Sequence, residues 1–213
     1  MIEVSGLITS VRNIINEYEV NDDTFSQEIT DSLKNFVKMA LTRIAPQLPA
    51  RFLDKKTLSG STKELSQQRP DGNWYALILL PDDCLRPLCL SVSTWNRTVR
   101  SFLTNESPLF DAQFSSSAGV AAGVYSPLCF VIPDSEGMSI MAHAVSSGVS
   151  ETYKLVYLVK PSVDENEQIN ISSDASEAIA YYAASLYLNS VNSSYYESVR
   201  DYATQYIEAL NNF

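Results

Sequence analysis

The sequence predicts an α+β fold: a four-helix bundle formed by N- and C-terminal helix pairs, with an antiparallel β domain inserted between them. Three observations predict it. Apolar residues recur at helical spacing near both ends of the 213-residue chain. In the middle the apolar period shortens to two. Each helical stretch carries a single apolar stripe, so each pair needs a partner, and packing the first pair on the last is the simplest solution.

The first helix is read from Leu7, Val11, Ile14, Ile15 and Tyr18. The stretch VNDDTFSQ interrupts the pattern, and Thr24 with Gln27 offers a capping box that satisfies two free backbone N–H groups. The second helix places Ile29, Leu33, Phe36, Val37, Ala40, Leu41 and Ile44 on one stripe, and Pro46 and Pro49 end it. Residues 54–71 are polar and basic and are expected to be a loop. Trp74 to Leu80 is wholly apolar, the pattern of a strand covered on both faces. Leu88, Leu90 and Val92 alternate with small or polar residues, as do Leu128, Phe130 and Ile132. Pro133 to Gly137 supplies turn chemistry. Met138–Val145 and Thr152–Lys160 are expected to complete an antiparallel meander through Ser146-Ser147-Gly148. The gaps between these strands are too short for a crossover helix.

At the far end Asp174 with Glu177 and Ser194 with Glu197 are expected to start two helices. Ile179, Ala183 and Leu186 mark the first, running to about Ser190. Val199, Tyr202, Ala203, Tyr206, Ile207 and Leu210 mark the last. Residues 1–53 and 164–213 are therefore assigned to the bundle, and 54–163 to a β-rich domain with long loops.

Composition limits the function. A hydrophobic content of 45% with 19% charged residues belongs to a globular chain. Net charge −10 argues against gripping a nucleic-acid duplex, which needs clustered Lys and Arg. It does not exclude a wall past which DNA slides. No run approaches the ~20 apolar residues of a membrane span. The stretch MIEVSGLITSVRN has no signal-type core. Cys84, Cys89 and Cys129 are an odd set without CxxC spacing, expected to be buried free thiols.

Catalytic chemistry has few candidates. His143 is the sole histidine and falls inside a strand pattern. Any Ser–His–Asp or Cys–His arrangement would have to use it; a half-buried sheet histidine is the alternative. Neither GxxxxGK[ST] nor GxGxxG occurs, and one histidine cannot build a His-rich metal set. Asp82 and Asp83 could form a carboxylate dyad with Arg86 as an anion clamp. Adjacent residues of an extended chain point apart, so the competing reading is a turn leaving a strand. Asp164-Glu165-Asn166-Glu167 reads as a solvated acidic linker. The last helix pair holds seven of the twelve tyrosines, of which Tyr181, Tyr195 and Tyr196 fall off the main stripe and suit either a protein partner or ordinary packing.

Leu80-Pro81, Asp83, Leu85-Arg86, Trp95, Arg97 and Val99 together resemble the central region of head-to-tail adaptor, or connector, proteins of tailed bacteriophages. Residues 105–113 (NESPLFDAQ) and 125–127 (YSP) resemble the downstream stretch of the same family. LKNFVKMALTRIAPQLPARFL resembles its early helix, and YYAASLYLN with YATQYIEALNN its closing pair. Within that family the chain looks like the ring proteins of short-tailed, crAss-like phages. The resemblance implies a helical bundle with an inserted β domain, no enzymatic activity and no cofactor. It implies homo-oligomeric, usually dodecameric rings that bind the portal protein, extend the DNA channel and support further tail proteins. DNA would pass the lumen without specific binding, and no membrane is involved. The place implied is the virion, assembled in the bacterial cytoplasm. Pro81, Asp83 and Arg86 would form a corner of the β domain, braced by Trp95 and Arg97. Ser115, Ser116, Ser117, Gly119 and Gly123 are candidate subunit-contact residues, ordered on assembly, and Tyr181, Tyr195 and Tyr196 candidate partner-facing ones. The alternatives are another virion ring, such as a tail-tube or head-completion protein, a soluble hydrolase or ligand-binding domain using Asp82, Asp83, Arg86 and His143, or a host interaction module.

Overall fold

A computed structural model describes residues 1–18, 27–62, 65–68, 72–113, 122–146 and 151–212. In chain order the elements are β1 (Ile2–Glu3), α1 (Val4–Tyr18), α2 (Gln27–Ile44), β2 (Lys55–Ser61), β3 (Ser66–Gln68), β4 (Trp74–Leu79), β5 (Cys84–Val92) and β6 (Leu103–Thr104). They continue with α3 (Pro108–Ala112), β7 (Cys129–Asp134), β8 (Gly137–His143), β9 (Thr152–Val159), β10 (Gln168–Ile169), α4 (Ser176–Ser190) and α5 (Tyr196–Asn211). The described residues thus hold five α-helices and ten strands in three sheets. This mixed, strand-rich α+β architecture replaces the expected four-helix bundle with an inserted antiparallel β domain. The chain folds as two units, Met1–Asp54 with Val159–Phe213, and Lys55–Leu158.

The helical unit shows why a bundle of two pairs is the wrong description. Such a bundle surrounds one shared core; here a single helix is the core. Ala178, Ile179, Ala180, Ala183, Ala184, Ser185 and Leu188 of α4 are all buried, leaving no polar stripe along its middle. A helix apolar on every side belongs in the interior. Accordingly α4 packs against α1, α2 and α5. The other three helices are amphipathic as expected, with Leu7, Val11, Ile15, Leu33, Val37, Ile44, Val199 and Ala203 at most 3% exposed. The unit also contains a sheet, in which β1 pairs antiparallel with β10, Ile2 opposite Ile169.

Helix starts differ from expectation too. The Ser172 hydroxyl accepts the Asp174 N–H at 3.4 Å inside a 3-10 turn that runs straight into α4. Ala175 precedes α4 in a helical conformation without a side-chain cap, so Asp174 and Glu177 form no capping box there. Ser193, not Ser194, accepts the N–H of Tyr195 ahead of α5. Thr24, half of the expected capping box before α2, lies outside the described residues.

In the strand unit, residues 54–71 are not one loop. They contain β2 and β3. All seven residues of β2 pair antiparallel with β9, from Lys55 opposite Leu158 to Ser61 opposite Thr152. None of those seven is buried, so the strand is held by its backbone ladder and leaves no apolar alternation to read. The expected meander from β8 into β9 does not form. The five-stranded sheet runs β3-β4-β8-β7-β6, whereas β9 lies between β2 and β5 in a three-stranded sheet. The β7–β8 hairpin does form, with Asp134 opposite Gly137 and Gly137 at φ 141°, a conformation that favours glycine. Nor are all neighbours antiparallel: β6 runs parallel to β7, and α3 lies in the connection. Strand β4 is buried at Ala76 and Ile78 but exposes Leu79 at 44%, so it is covered on one face only.

Candidate functional site

The segment that carries the resemblance folds into the turn between β4 and β5. Leu80 N–H donates to the Met138 carbonyl at 2.9 Å, and Cys84 N–H donates to the Pro81 carbonyl at 2.8 Å. That closes residues 81–84 as a turn and aims Asp83 back at neighbouring strands. Lys56 of β2 donates to one Asp83 oxygen at 2.6 Å. The Tyr157 hydroxyl of β9 donates to the other at 3.1 Å. Two strands of the three-stranded sheet are thus pinned to the turn that leads into the third.

The electrostatics follow. The Lys56 ammonium and the Tyr157 hydroxyl hold the Asp83 carboxyl below its ordinary value despite its partial burial. Burial first, then the same carboxylate, pushes the Tyr157 phenol up. An ionised carboxylate with both oxygens engaged is suited to tethering strands. It is poorly placed to give a proton to a substrate.

Asp82 is exposed beside it, and Arg86 is half-buried on β5. Trp95 is buried, 7% exposed, and its indole N–H donates to the Ala144 carbonyl at 2.9 Å. That bond fixes the chain just beyond β8, where Ala144 sits at φ 68°. Arg97 follows on an exposed bend. Trp95 is therefore bonded into the fold of this unit, and Arg97 faces solvent.

His143 does not join the acids. It stands opposite Tyr75 at one end of the β4–β8 ladder, whereas Leu79, which leads into the Asp82–Asp83 turn, stands opposite Ser139. Four residues of strand separate the two ends, roughly 13 Å. His143 is 2% exposed, fully buried rather than half-buried. Its ring packs edge-on to Phe130 at 5.5 Å and near Tyr75 at 6.0 Å. The set Asp82, Asp83, Arg86 and His143 therefore does not converge. None of the three cysteines is in a disulfide; Cys84 and Cys129 are buried and Cys89 half-buried. Burial pushes the Cys129 thiol far above its ordinary range, which removes it as a nucleophile.

Of the expected contact loop, Ser115, Ser116, Ser117 and Gly119 lie outside the described residues. Gly123 is exposed, in a tight turn where its carbonyl accepts the Ser126 N–H at 2.9 Å. Buried Gln113 accepts the Ala122 N–H on its side-chain oxygen at 2.7 Å.

In the helical unit Tyr181 packs its ring on Tyr206 at 5.3 Å and Tyr202 at 5.8 Å. Tyr195 is exposed at the start of α5. Tyr196 is half-buried and donates its hydroxyl to Glu197 at 3.1 Å.

Sequence reasoning missed three groups. Lys56 falls in the segment expected to be a loop, and Tyr157 is one of several tyrosines without a distinguishing neighbour. Glu151 is 1% exposed; it accepts from the Thr94 hydroxyl at 2.8 Å and the Ser146 N–H at 3.0 Å, and its carbonyl accepts the Thr62 N–H at 2.9 Å. It thereby ties the ends of β2 and β5 to the chain after β8, and its only sequence signal is a carboxylate at the start of a strand. Arg43 and Arg200 lie on different helices and share a small cleft. Near the ends of β2, β9 and β5 a shallow groove of about 650 Å³ is lined by Ser59, Ser91, Ser93, Tyr153 and Lys154. Among the described residues no group of His, Cys, Asp and Glu could hold a metal ion, and no helix is long and apolar enough to cross a membrane.

No family model matches the chain, and no curated protein matches it in sequence.

Proposed function

We propose that the chain is a structural subunit of a phage virion, a head-to-tail adaptor that assembles as a ring on the portal and extends the DNA channel toward the tail. The observation that carries this reading is the resemblance of residues 80–99, 105–113 and 125–127 to connector proteins. Geometry supports an architectural role for that segment: Asp83 is bonded to Lys56 and Tyr157, and Trp95 to Ala144. The reading does not rest on a helical-bundle architecture, which the fold replaces.

Charge is consistent with the role. A channel wall that must let DNA slide works best without a basic stripe, and the chain carries net charge −10. The adaptor acts by assembly rather than by catalysis, and its partners are the portal, copies of itself and the next tail protein.

Native mass spectrometry of the purified chain, alone and mixed with the portal protein of the same phage, tests the proposal. A discrete complex containing several copies of the chain per portal ring is expected. A persistent monomer in both samples overturns it.

A further inference from the structure

We infer that the cleft between Arg43 and Arg200 is a socket for a carboxylate side chain of a second copy of this chain, presented on the turn at residues 164–167. The inference rests on the ring reading above and names one contact that would build the ring.

The cleft is formed by α2, α4 and α5. Arg43 stands in the last turn of α2 and Arg200 in the second turn of α5, with Tyr182, Ser185, Leu186, Asn189 and Tyr196 completing the lining. Its volume is about 60 Å³. That is room for about two water molecules, far below the several hundred Å³ of an organic ligand site. It suits a group the size of a carboxylate. Both arginines are exposed, and among the described residues neither is in an ion pair. That is notable in a chain with 25 acids and 15 bases, where acidic partners outnumber cations. The lining hydroxyls are already engaged, Ser185 donating to the Tyr182 carbonyl at 2.7 Å and Tyr196 to Glu197 at 3.1 Å, so recognition falls to the two arginines, whose guanidinium forks can each donate two parallel bonds to a carboxylate.

The occupant is argued from charge complementarity. Within Asp164-Glu165-Asn166-Glu167, two acids are already used by the fold. Asp164 accepts the N–H groups of Asn166 and Gln168 at 2.9 Å and 2.8 Å. Glu167, at φ 57°, pairs with Lys34 at 2.7 Å. Glu165 is exposed on the turn they hold, with no hydrogen bond or ion pair among the described residues. Lys34 anchors that turn beside the middle of α2, whereas Arg43 stands nine residues later, about 13 Å along the helix. The two patches are thus different places on one subunit, the arrangement a head-to-tail ring contact requires.

Sedimentation velocity of the full chain across concentration and salt tests this. Wild type is expected to self-associate at low ionic strength and to dissociate as salt rises. Arg43→Glu with Arg200→Glu, or Glu165→Arg alone, is expected to weaken association roughly tenfold or more. Combining Arg200→Glu with Glu165→Arg is expected to recover part of it. Arg→Gln versions and circular dichroism separate lost contact from lost fold. A wild type monomeric at every concentration, or variants that associate like wild type, overturns the inference. Mixing with the portal separates the two proposals. Variants that still form wild-type complexes with the portal refute the contact and leave the adaptor reading intact. A chain that self-associates through this contact yet ignores the portal refutes the adaptor reading alone.

Discussion

Ala178, Ala180, Ala183 and Ala184 fill the middle of the helical unit, whereas Phe130, Ile78, Ile140 and Leu155 are among the fully buried positions of the strand unit. The difference follows from geometry. Three helices can approach a fourth closely only if that helix is thin, so five of the seven buried residues of α4 are small, four alanines and Ser185, with Ile179 and Leu188 the large exceptions. Sheets instead stand their side chains off the pleat, and large residues must fill the space between layers. One unit should therefore resist enlargement and the other truncation.

The sharpest break is Phe130→Ala. Phe130 is 0% exposed and packs edge-on against Phe110 at 5.2 Å and His143 at 5.5 Å. Truncation leaves a cavity among rings that cannot close over it, at a cost of about 3–5 kcal/mol. Hydrogen exchange read by mass spectrometry should lose protection in β7 and β8 and keep it in α4. Equal loss in both units would show that they unfold as one.

The mirror experiment is Ala183→Leu in α4. Ala183 is 0% exposed, and three added carbons must displace a neighbouring helix, at a cost of about 1–3 kcal/mol in urea unfolding. An unchanged midpoint would mean that α4 is loosely packed and that the comparison fails.

The smallest effect concerns Asp83, which lies at the surface and not in either core. Its carboxyl is held low by Lys56 and Tyr157, so its stabilisation is present above the ordinary carboxylate pKa near ~4 and is lost as pH falls through the lower folded value. The pair is partly exposed, with side chains 37% and 59% accessible, so Asp83→Asn should cost under about 1 kcal/mol at pH 7. The difference between wild type and variant should shrink to nothing on acidification. A difference independent of pH would show that charge is not what Asp83 contributes.

Much of the helical unit was legible. The stripes of α1, α2 and α5 survive in the main as buried faces because one apolar face at period 3.6 has only one way to be buried, although Tyr202 of the expected α5 stripe is 44% exposed. The four-helix bundle those stripes predict fails because Ile179, Ala183 and Leu186 mark only one side of α4. Its other alanines carry too little hydropathy to mark a second and third buried side. In the candidate site, the turn at Pro81-Asp82-Asp83 was legible from strand, proline and paired acids. Its partners were not, since Lys56 and Tyr157 lie 27 and 74 residues away in sequence. The arginine cleft was equally hidden, because Arg43 and Arg200 meet only when α2 and α5 both pack on α4.

What the sequence determined by itself was local: where most helices run, where the β7–β8 hairpin turns, and where β4 gives way to a corner. Those follow from periodicity and turn chemistry, which act over a few residues. Only the tertiary structure decided that β8 and β9 part into different sheets, that β6 lies parallel to β7, that β2 is a strand with no buried face, and that Glu151 is buried as a tie between strand ends. Each depends on pairing between backbone groups distant in the chain, and backbone hydrogen bonds are the same whatever side chain stands beside them.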